Sequence, residues 1–119
     1  MGTNTKEMPN MGTKTIVYNI LQCPVSIDYC FRPYDEEKFN KLDYVHVYEG
    51  EIEVDEQSAD ITILENLFYI FNQEHPEDYK ARSMSTSDVV ILRDGHMDRH
   101  SMRMWYCDSI GWKIVRGDI

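Results

Sequence analysis

The chain has 119 residues, of which 42% are hydrophobic and 28% charged, and its net charge at neutral pH is −9. This length and composition fit one folded domain and exclude an intrinsically disordered chain. Three cysteines without a Cys-x-x-Cys motif exclude a disulfide-rich secreted scaffold and indicate the reducing cytoplasm. No apolar run approaches the ~20 residues that cross a bilayer, and residues 1–10 lack the basic and apolar regions of a signal peptide, so no membrane contact is expected.

The first predicted element is a strand that follows a polar leader. Residues 1–13 are rich in Gly, Asn and Thr and are predicted to be flexible, which leaves one domain over residues 14–117. Residues 15–22 (TIVYNILQ) are mainly β-branched, aliphatic and aromatic, as is typical of a strand. Pro24 should end the strand, and the apolar but irregular residues 23–34 should form a packed connection or a short strand.

A short helix is predicted over residues 36–42. Asp35 is a suitable N-cap, and two glutamates follow it in the first turn, where the helix dipole favours negative charge. Phe39 and Leu42 would then face the core.

The next predicted strand covers residues 44–54 (YVHVYEGEIEV), in which apolar and polar residues alternate. The alternation places Val47 on the core side and Tyr48 with the acidic residues on the solvent side. Gly50 is expected to mark a turn or a bulge.

A longer helix is predicted to start at Thr62, because Thr62 and Glu65 match a capping box. It should end near Asn72, shortly before His75-Pro76. Its core positions have helical spacing: Leu64, Leu67, Phe68 and Phe71.

Three short strands complete the chain, over residues 89–92, 101–107 and 111–115. The predicted fold class is therefore α+β. We expect a single compact domain in which a mostly antiparallel sheet packs against one main helix and one short helix.

The surplus negative charge lies in the middle of the sequence. Residues 28–78 contain fifteen acidic side chains against three basic ones, whereas residues 1–27 and 79–119 carry net charges of +1 and +2. Direct binding of nucleic acid is not expected, because phosphate binding needs a basic face. A basic protein surface, such as the nucleic-acid channel of a nuclease, is a compatible partner. Solubility alone is the other explanation of this charge.

The acidic residues are densest in and just after the second strand. Alternation would place Glu49, Glu51 and Glu53 on one face, roughly 6.6–7 Å apart, as a row of negative charge that could mimic a phosphate backbone. The alternative is a solvated or protected edge strand. The candidate partner-binding residues are Glu49, Glu51, Glu53, Asp55, Glu56, Tyr48 and Trp112.

Three patterns suggest chemistry, and each has a simpler explanation. Asp94, His96, Asp98 and His100 alternate and could bind a transition metal, but they fall where a hairpin tip is expected. Ser83, Ser85 and Ser87 have no Gly-x-Ser-x-Gly elbow and resemble turn residues. Cys107 has apolar neighbours, as expected of a buried, inert thiol. We therefore predict no catalytic residues, no metal and no cofactor.

Several motifs resemble the YodL-like domain family. The family pattern is a helix ending in Phe-Asn, then His-Pro-x-Asp-Tyr, Ser-x-Ser-x-Ser-Asp-Val-Val and Tyr-Tyr-x-Asp-Ser-x-Gly-Phe. The corresponding segments here are residues 71–72, 75–79, 83–90 and 105–112, and the likeness covers about residues 15–115. This chain has Ala81 where the family often has Gly, Trp105 in place of Tyr and Trp112 in place of Phe.

The resemblance implies an accessory role in a bacterial mobile element, such as a prophage, plasmid or integrative conjugative element, often near anti-restriction genes. It implies no established catalytic activity. The motif residues are expected to form one buried polar network between the main helix and the following strand. The members of this predicted network are His75, Asp78, Ser85, Ser87 and Asp88.

Three functions remain open at this point. The first is inhibition of a host defence nuclease, of anti-CRISPR or anti-restriction type, through the acidic surface. The second is binding of a host cytoskeletal or regulatory protein through an aromatic patch, formed by Tyr44, Tyr48, Trp105 and Trp112. The third is a small metal-dependent enzyme that uses His96 and His100.

Overall fold

The computed structural model describes residues 12–116, so most of the predicted leader lies outside the described residues. The described chain forms a five-stranded antiparallel sheet in the order β2-β1-β3-β4-β5, together with one α-helix. Short 3₁₀ turns lie at Lys41–Asp43 and Arg99–Ser101. The elements are β1 (Thr13–Gln22), β2 (Val45–Asp55), α1 (Asp60–Gln73), β3 (Val89–Asp94), β4 (Arg103–Cys107) and β5 (Trp112–Val115).

Strand β1 is apolar on both sides, as expected for a strand with a cover on each face of the sheet. Ile16 and Ile20 point toward α1, whereas Val17 and Leu21 point to the opposite face. Ile16, Val17 and Ile20 have no exposed surface. We refer to the two sides as the helix face and the loop face of the sheet.

Helix α1 covers the helix face with Ile63, Leu64, Leu67 and Phe71, all of which are buried. It begins at Asp60, and Ala59 precedes it without a side-chain cap, so the predicted start at Thr62 is wrong. No helix in residues 12–116 is long and apolar enough to span a membrane.

The helix start is held to strand β4 by an ion pair. Arg103 donates to Asp60 through Nε (3.0 Å) and Nη2 (2.7 Å), and the Trp105 indole donates to the same carboxylate at 2.9 Å. These bonds lower the pKa of Asp60, Arg103 being the main cause. These charge-assisted bonds anchor the start of the helix to the sheet.

Residues 23–44 cover the loop face with turns and contain no α-helix or strand, so the short helix predicted over 36–42 is wrong. The Asp35 carboxylate accepts the amide of Glu37, as an N-cap does, and the Asp35 carbonyl accepts the amide of Phe39, so one helical turn forms. The Asn40 side chain then accepts the amide of Leu42 and starts a separate 3₁₀ turn, so the helix does not continue. Phe39 packs against the core as predicted, but Leu42 is 88% exposed.

An irregularity at Val47 changes the expected alternation in β2. Ile20 pairs with Tyr48 and Leu21 with His46, so β2 has an extra residue between them. Tyr48 consequently faces α1 and packs 5.3 Å from the ring of Phe71. Its predicted place beside the acidic residues is wrong, because Tyr48 and Glu49 are consecutive residues of a regular stretch of strand and therefore point to opposite faces.

Gly50 lies within β2 and does not form the predicted turn or bulge. It pairs with Tyr18 on β1, whose ring lies over it. A β-carbon at Gly50 would be 2.5 Å from the Tyr18 hydroxyl oxygen and 2.7 Å from Cζ. Tyr18 cannot easily move away, since it also packs against Tyr48 and Phe71.

We expect Gly50→Ala to lower the free energy of unfolding by roughly 1–3 kcal/mol, as overpacking does in other cores. Urea denaturation of the purified protein measures this change. In a Tyr18→Leu background the same substitution should cost less than half as much, because the shorter side chain leaves room. An equal cost in both backgrounds would contradict this role of Gly50.

Candidate functional site

Strand β2 is an edge strand and presents three carboxylates on the loop face. Glu49, Glu51 and Glu53 are exposed, and they pair with Asn19, Val17 and Thr15 on β1. We call these three glutamates the acidic row. Consecutive members are two residues apart on an extended strand, which sets their spacing at roughly 6.6–7 Å.

Glu53 and Glu51 each have a side-chain contact in the described part of the chain, and Arg93 lies on the same face of the sheet as Glu51, two strands away. The Thr15 hydroxyl donates to Glu53 and lowers its pKa, which favours the charged form of that glutamate. Glu51 contacts the ring of His96. No lysine or arginine within residues 12–116 forms an ion pair with the row.

Asp55 and Glu56 extend the negative charge beyond the row, and both are exposed. Asp55 lies opposite Thr13 at the end of β2, and its carboxylate accepts the Gln57 amide at 2.8 Å. The Glu56 amide donates to the Gly12 carbonyl at 2.9 Å, so its backbone is attached to the neighbouring strand. Five of the predicted binding residues therefore lie in one short segment.

The other two predicted binding residues lie elsewhere. Tyr48 faces α1, and its hydroxyl donates to Asp78 at 2.9 Å. Trp112 lies on β5, at the opposite edge of the sheet, where it packs against Phe68 and donates to Glu65 at 3.0 Å. Neither side chain shares a surface with the acidic row.

A second polar cluster lies inside the protein, around Asp88. This carboxylate has no exposed surface and accepts bonds from Gln22 Nε2 (3.0 Å), the Ser85 amide (2.9 Å) and Arg82 Nη2 (3.4 Å). Burial nevertheless raises its pKa to about 6. The Tyr79 hydroxyl donates to the Arg82 carbonyl and so supports the same loop.

Ser87 links this cluster to the loop-face cover. Its Oγ accepts the Phe31 amide at 3.0 Å, and its carbonyl accepts the Tyr44 hydroxyl at 2.6 Å. Ser87 has a φ of +85°, in the left-handed region that non-glycine residues seldom adopt. These bonds stabilise a backbone conformation that is costly for serine.

The predicted network is therefore only partly correct. The Ser85 amide bonds to Asp88 and the neighbouring Ser87 bonds to Phe31, but the Ser85 hydroxyl has no partner in residues 12–116. His75 and Asp78 are exposed and lie outside the network, because the His-Pro turn carries them toward solvent.

Sequence reasoning missed the donors of this network, Gln22 and Arg82. One signal was available for Gln22, which is a polar residue at the end of a strand that is otherwise apolar. A buried carboxylate needs nearby donors, and a polar strand end can supply one. Nothing in the sequence marked Arg82.

The residues that suggested metal binding or a reactive thiol make hydrogen bonds and ion pairs within the protein or are buried in it. Asp94 binds Arg103 at 3.1 Å, Asp98 accepts the His100 amide, and His96 contacts Glu51. In the part of the chain that the structure describes, no three His, Cys, Asp or Glu side chains come together as metal ligands. Cys107 is buried, and desolvation raises its pKa to about 12, which keeps the thiol protonated.

The raised pKa of Asp88 predicts a pH-dependent contribution to stability. A carboxyl whose pKa rises from 3.8 to about 6 on folding binds its proton more tightly in the folded state. Its contribution is therefore greatest below the unfolded pKa and falls as pH rises through the folded pKa. From well below pH 3.8 to well above pH 6, the free energy of unfolding loses about 3 kcal/mol from this one carboxyl.

Asp88→Asn should remove this dependence. Between about pH 4 and pH 7, the free energy of unfolding of the variant should rise by about 2 kcal/mol relative to the wild type. Denaturant unfolding at several pH values measures the difference. A difference that stays constant across this range would show that Asp88 does not titrate as its burial implies.

Residues 14–117 match the family model of the YodL-like domain. Neither the curated proteins nor the solved structures gave a significant match. The matched range contains the acidic row, the Asp88 network and nearly every residue of the sheet and helix. This match confirms the resemblance seen in the sequence motifs, and the chain belongs to the YodL-like domain family.

Proposed function

We propose that this protein is a non-enzymatic, cytoplasmic accessory protein of a bacterial mobile element that binds a basic surface of a host protein. The proposed target is the nucleic-acid channel of a defence nuclease, which makes the protein an inhibitor of anti-CRISPR or anti-restriction type. The acidic row is the observation that carries this proposal. Its three carboxylates share one face of an exposed edge strand and have no Lys or Arg ion-pair partner in residues 12–116.

The geometry of the row suits competition with a phosphate backbone. Its spacing of roughly 6.6–7 Å is about twice the ~3.4 Å rise per phosphate along one strand of B-DNA. Cations arranged along a nucleic-acid channel could therefore contact successive members of the row. Because a paired strand holds the backbone of the glutamates in place, the ordering entropy lost on binding is that of their side chains.

The aromatic alternative has weaker support. The Tyr44 hydroxyl bonds to Ser87 on the loop-face side, and the Trp105 indole bonds to Asp60 on the helix side. Tyr48 and Trp112 lie at opposite edges of the sheet. The four aromatic side chains do not form one patch, which favours recognition through charge.

The metal-dependent alternative also has weaker support. It requires His96 and His100 to coordinate one ion together. The His96 ring instead contacts Glu51, and both histidines lie in an exposed loop. The proposal therefore includes no metal and no catalytic step.

Neutralising the row should weaken the complex with the target nuclease. We expect Glu49→Gln, Glu51→Gln and Glu53→Gln together to raise the Kd at least about tenfold, because the lost contacts are between opposite charges. The same triple variant should lose inhibition in a cleavage assay against candidate host nucleases. Binding by the wild type should weaken as salt rises from about 50 mM to about 500 mM.

A matched control changes the same net charge at other exposed sites. Glu37→Gln, Glu74→Gln and Glu77→Gln remove three negative charges away from the row. This control should bind and inhibit almost as well as the wild type. If the row variant, shown to be folded by its thermal unfolding, inhibits as strongly as the control, charge mimicry is wrong.

A further inference from the structure

A second surface feature is an open cleft at the β5 side of the loop face. Its volume is about 670 Å³, within the roughly 300–1,000 Å³ that small-molecule sites occupy. One wall comes from the loop that contains Arg32, Tyr34 and Lys38, and the other includes Lys113 of β5. The acidic side chains in the lining are Asp35 and Glu36.

The backbone of the cleft wall is attached to the sheet. The Tyr34 amide donates to Asp108 at 3.0 Å, and the Tyr34 ring lies 4.9 Å from the ring of Tyr106. The Tyr106 hydroxyl donates to the Arg32 carbonyl at 2.8 Å. Arg32 and Tyr34 are therefore held on the same buried tyrosine, so the wall is in place before any ligand binds.

The charge of the cleft differs from that of the rest of the molecule. Three of its lining residues are cationic, although the protein carries a net charge of −9. Lys38 is 3.6 Å from Asp28, but Arg32 and Lys113 form no ion pair with any side chain of residues 12–116. A guanidinium and an ammonium group together are suited to a phosphate group.

From these features we infer that the cleft binds a nucleotide. Its phosphates contact Arg32 and Lys113, and its planar base packs against the ring of Tyr34. The carboxylates of Asp35 and Glu36 accept hydrogen bonds from the sugar hydroxyls, as acidic side chains do in other nucleotide sites. Because carboxylates repel a bare anion, we expect a ligand that carries hydroxyl donors to bind better than inorganic phosphate.

This site is separate from the surface in the proposed function. The acidic row lies on β2 and Lys113 on β5, and these strands form opposite edges of the sheet. Four inter-strand steps of ~4.8 Å separate them, or about 19 Å. Nucleotide binding is therefore an additional activity of the protein, independent of the nuclease proposal.

Isothermal titration calorimetry of the full chain with ADP, GDP, CDP and UDP tests the inference. At least one of these nucleotides should bind, and its parent nucleoside and inorganic phosphate should each bind more weakly. Arg32→Gln and Lys113→Gln should each raise the Kd of that nucleotide about tenfold, because each removes one charge-assisted contact. Lys80→Gln and Arg99→Gln remove exposed cations elsewhere and should leave the Kd unchanged.

Three results would overturn the inference. They are absence of binding by all four nucleotides at millimolar concentration, binding of inorganic phosphate as tightly as the nucleotide, and equal weakening by the control variants. Neutralising the acidic row should not weaken nucleotide binding, and the two cleft variants should not alter nuclease inhibition. The failure of either proposal can thus be recognised without the other.

Discussion

Strand β1 is buried on both faces, and this constraint determines how the rest of the domain is arranged. Ile16 and Ile20 require a cover on one side, and Val17 and Leu21 require one on the other. Helix α1 provides the first cover and residues 23–44 provide the second. Burying these side chains is favourable by roughly 1.5–3 kcal/mol each, so neither cover can be lost without a large cost.

The buried polar network joins the two covers where β1 ends and β3 begins. Gln22 and Arg82 hold the Asp88 carboxylate, and Ser87 holds the backbone of residues 23–44. A buried carboxylate is unfavourable unless donors surround it, so these groups must come together correctly for the domain to fold. This requirement explains why the Ser-x-Ser-x-Ser-Asp motif contains structural residues.

Much of the sheet could be predicted from the sequence, because period-2 alternation and β-branched composition report directly on strands. The main helix was also predicted, although its start was not. The Thr62 capping box is a local signal, whereas the actual anchor at Asp60 depends on Arg103, which is 43 residues away. The short helix failed for a local reason, since the turn that Asp35 caps is followed at once by a second cap at Asn40, which starts a separate 3₁₀ turn.

The candidate site was predictable only in part. Simple alternation placed Glu49, Glu51 and Glu53 together correctly, because no irregularity occurs between them. Tyr48 was misplaced because its side was assigned with Val45 and Val47 as reference points, and the bulge at Val47 puts Val47 and Tyr48 in the same helix-face cluster. That bulge depends on pairing with β1 and leaves no local signal. The cleft could not be foreseen, since its two walls meet only after residues 29–38 fold over β4 and β5.

The central functional claim is that the acidic row occupies the place of a nucleic-acid backbone on a basic protein. Competition binding tests this claim most directly. A fluorescent substrate nucleic acid is bound to a nuclease that the protein inhibits, under conditions in which the nuclease does not cleave. The protein is then titrated into this complex. Our account predicts full displacement of the nucleic acid and no ternary complex. A stable ternary complex of nuclease, nucleic acid and this protein would contradict it.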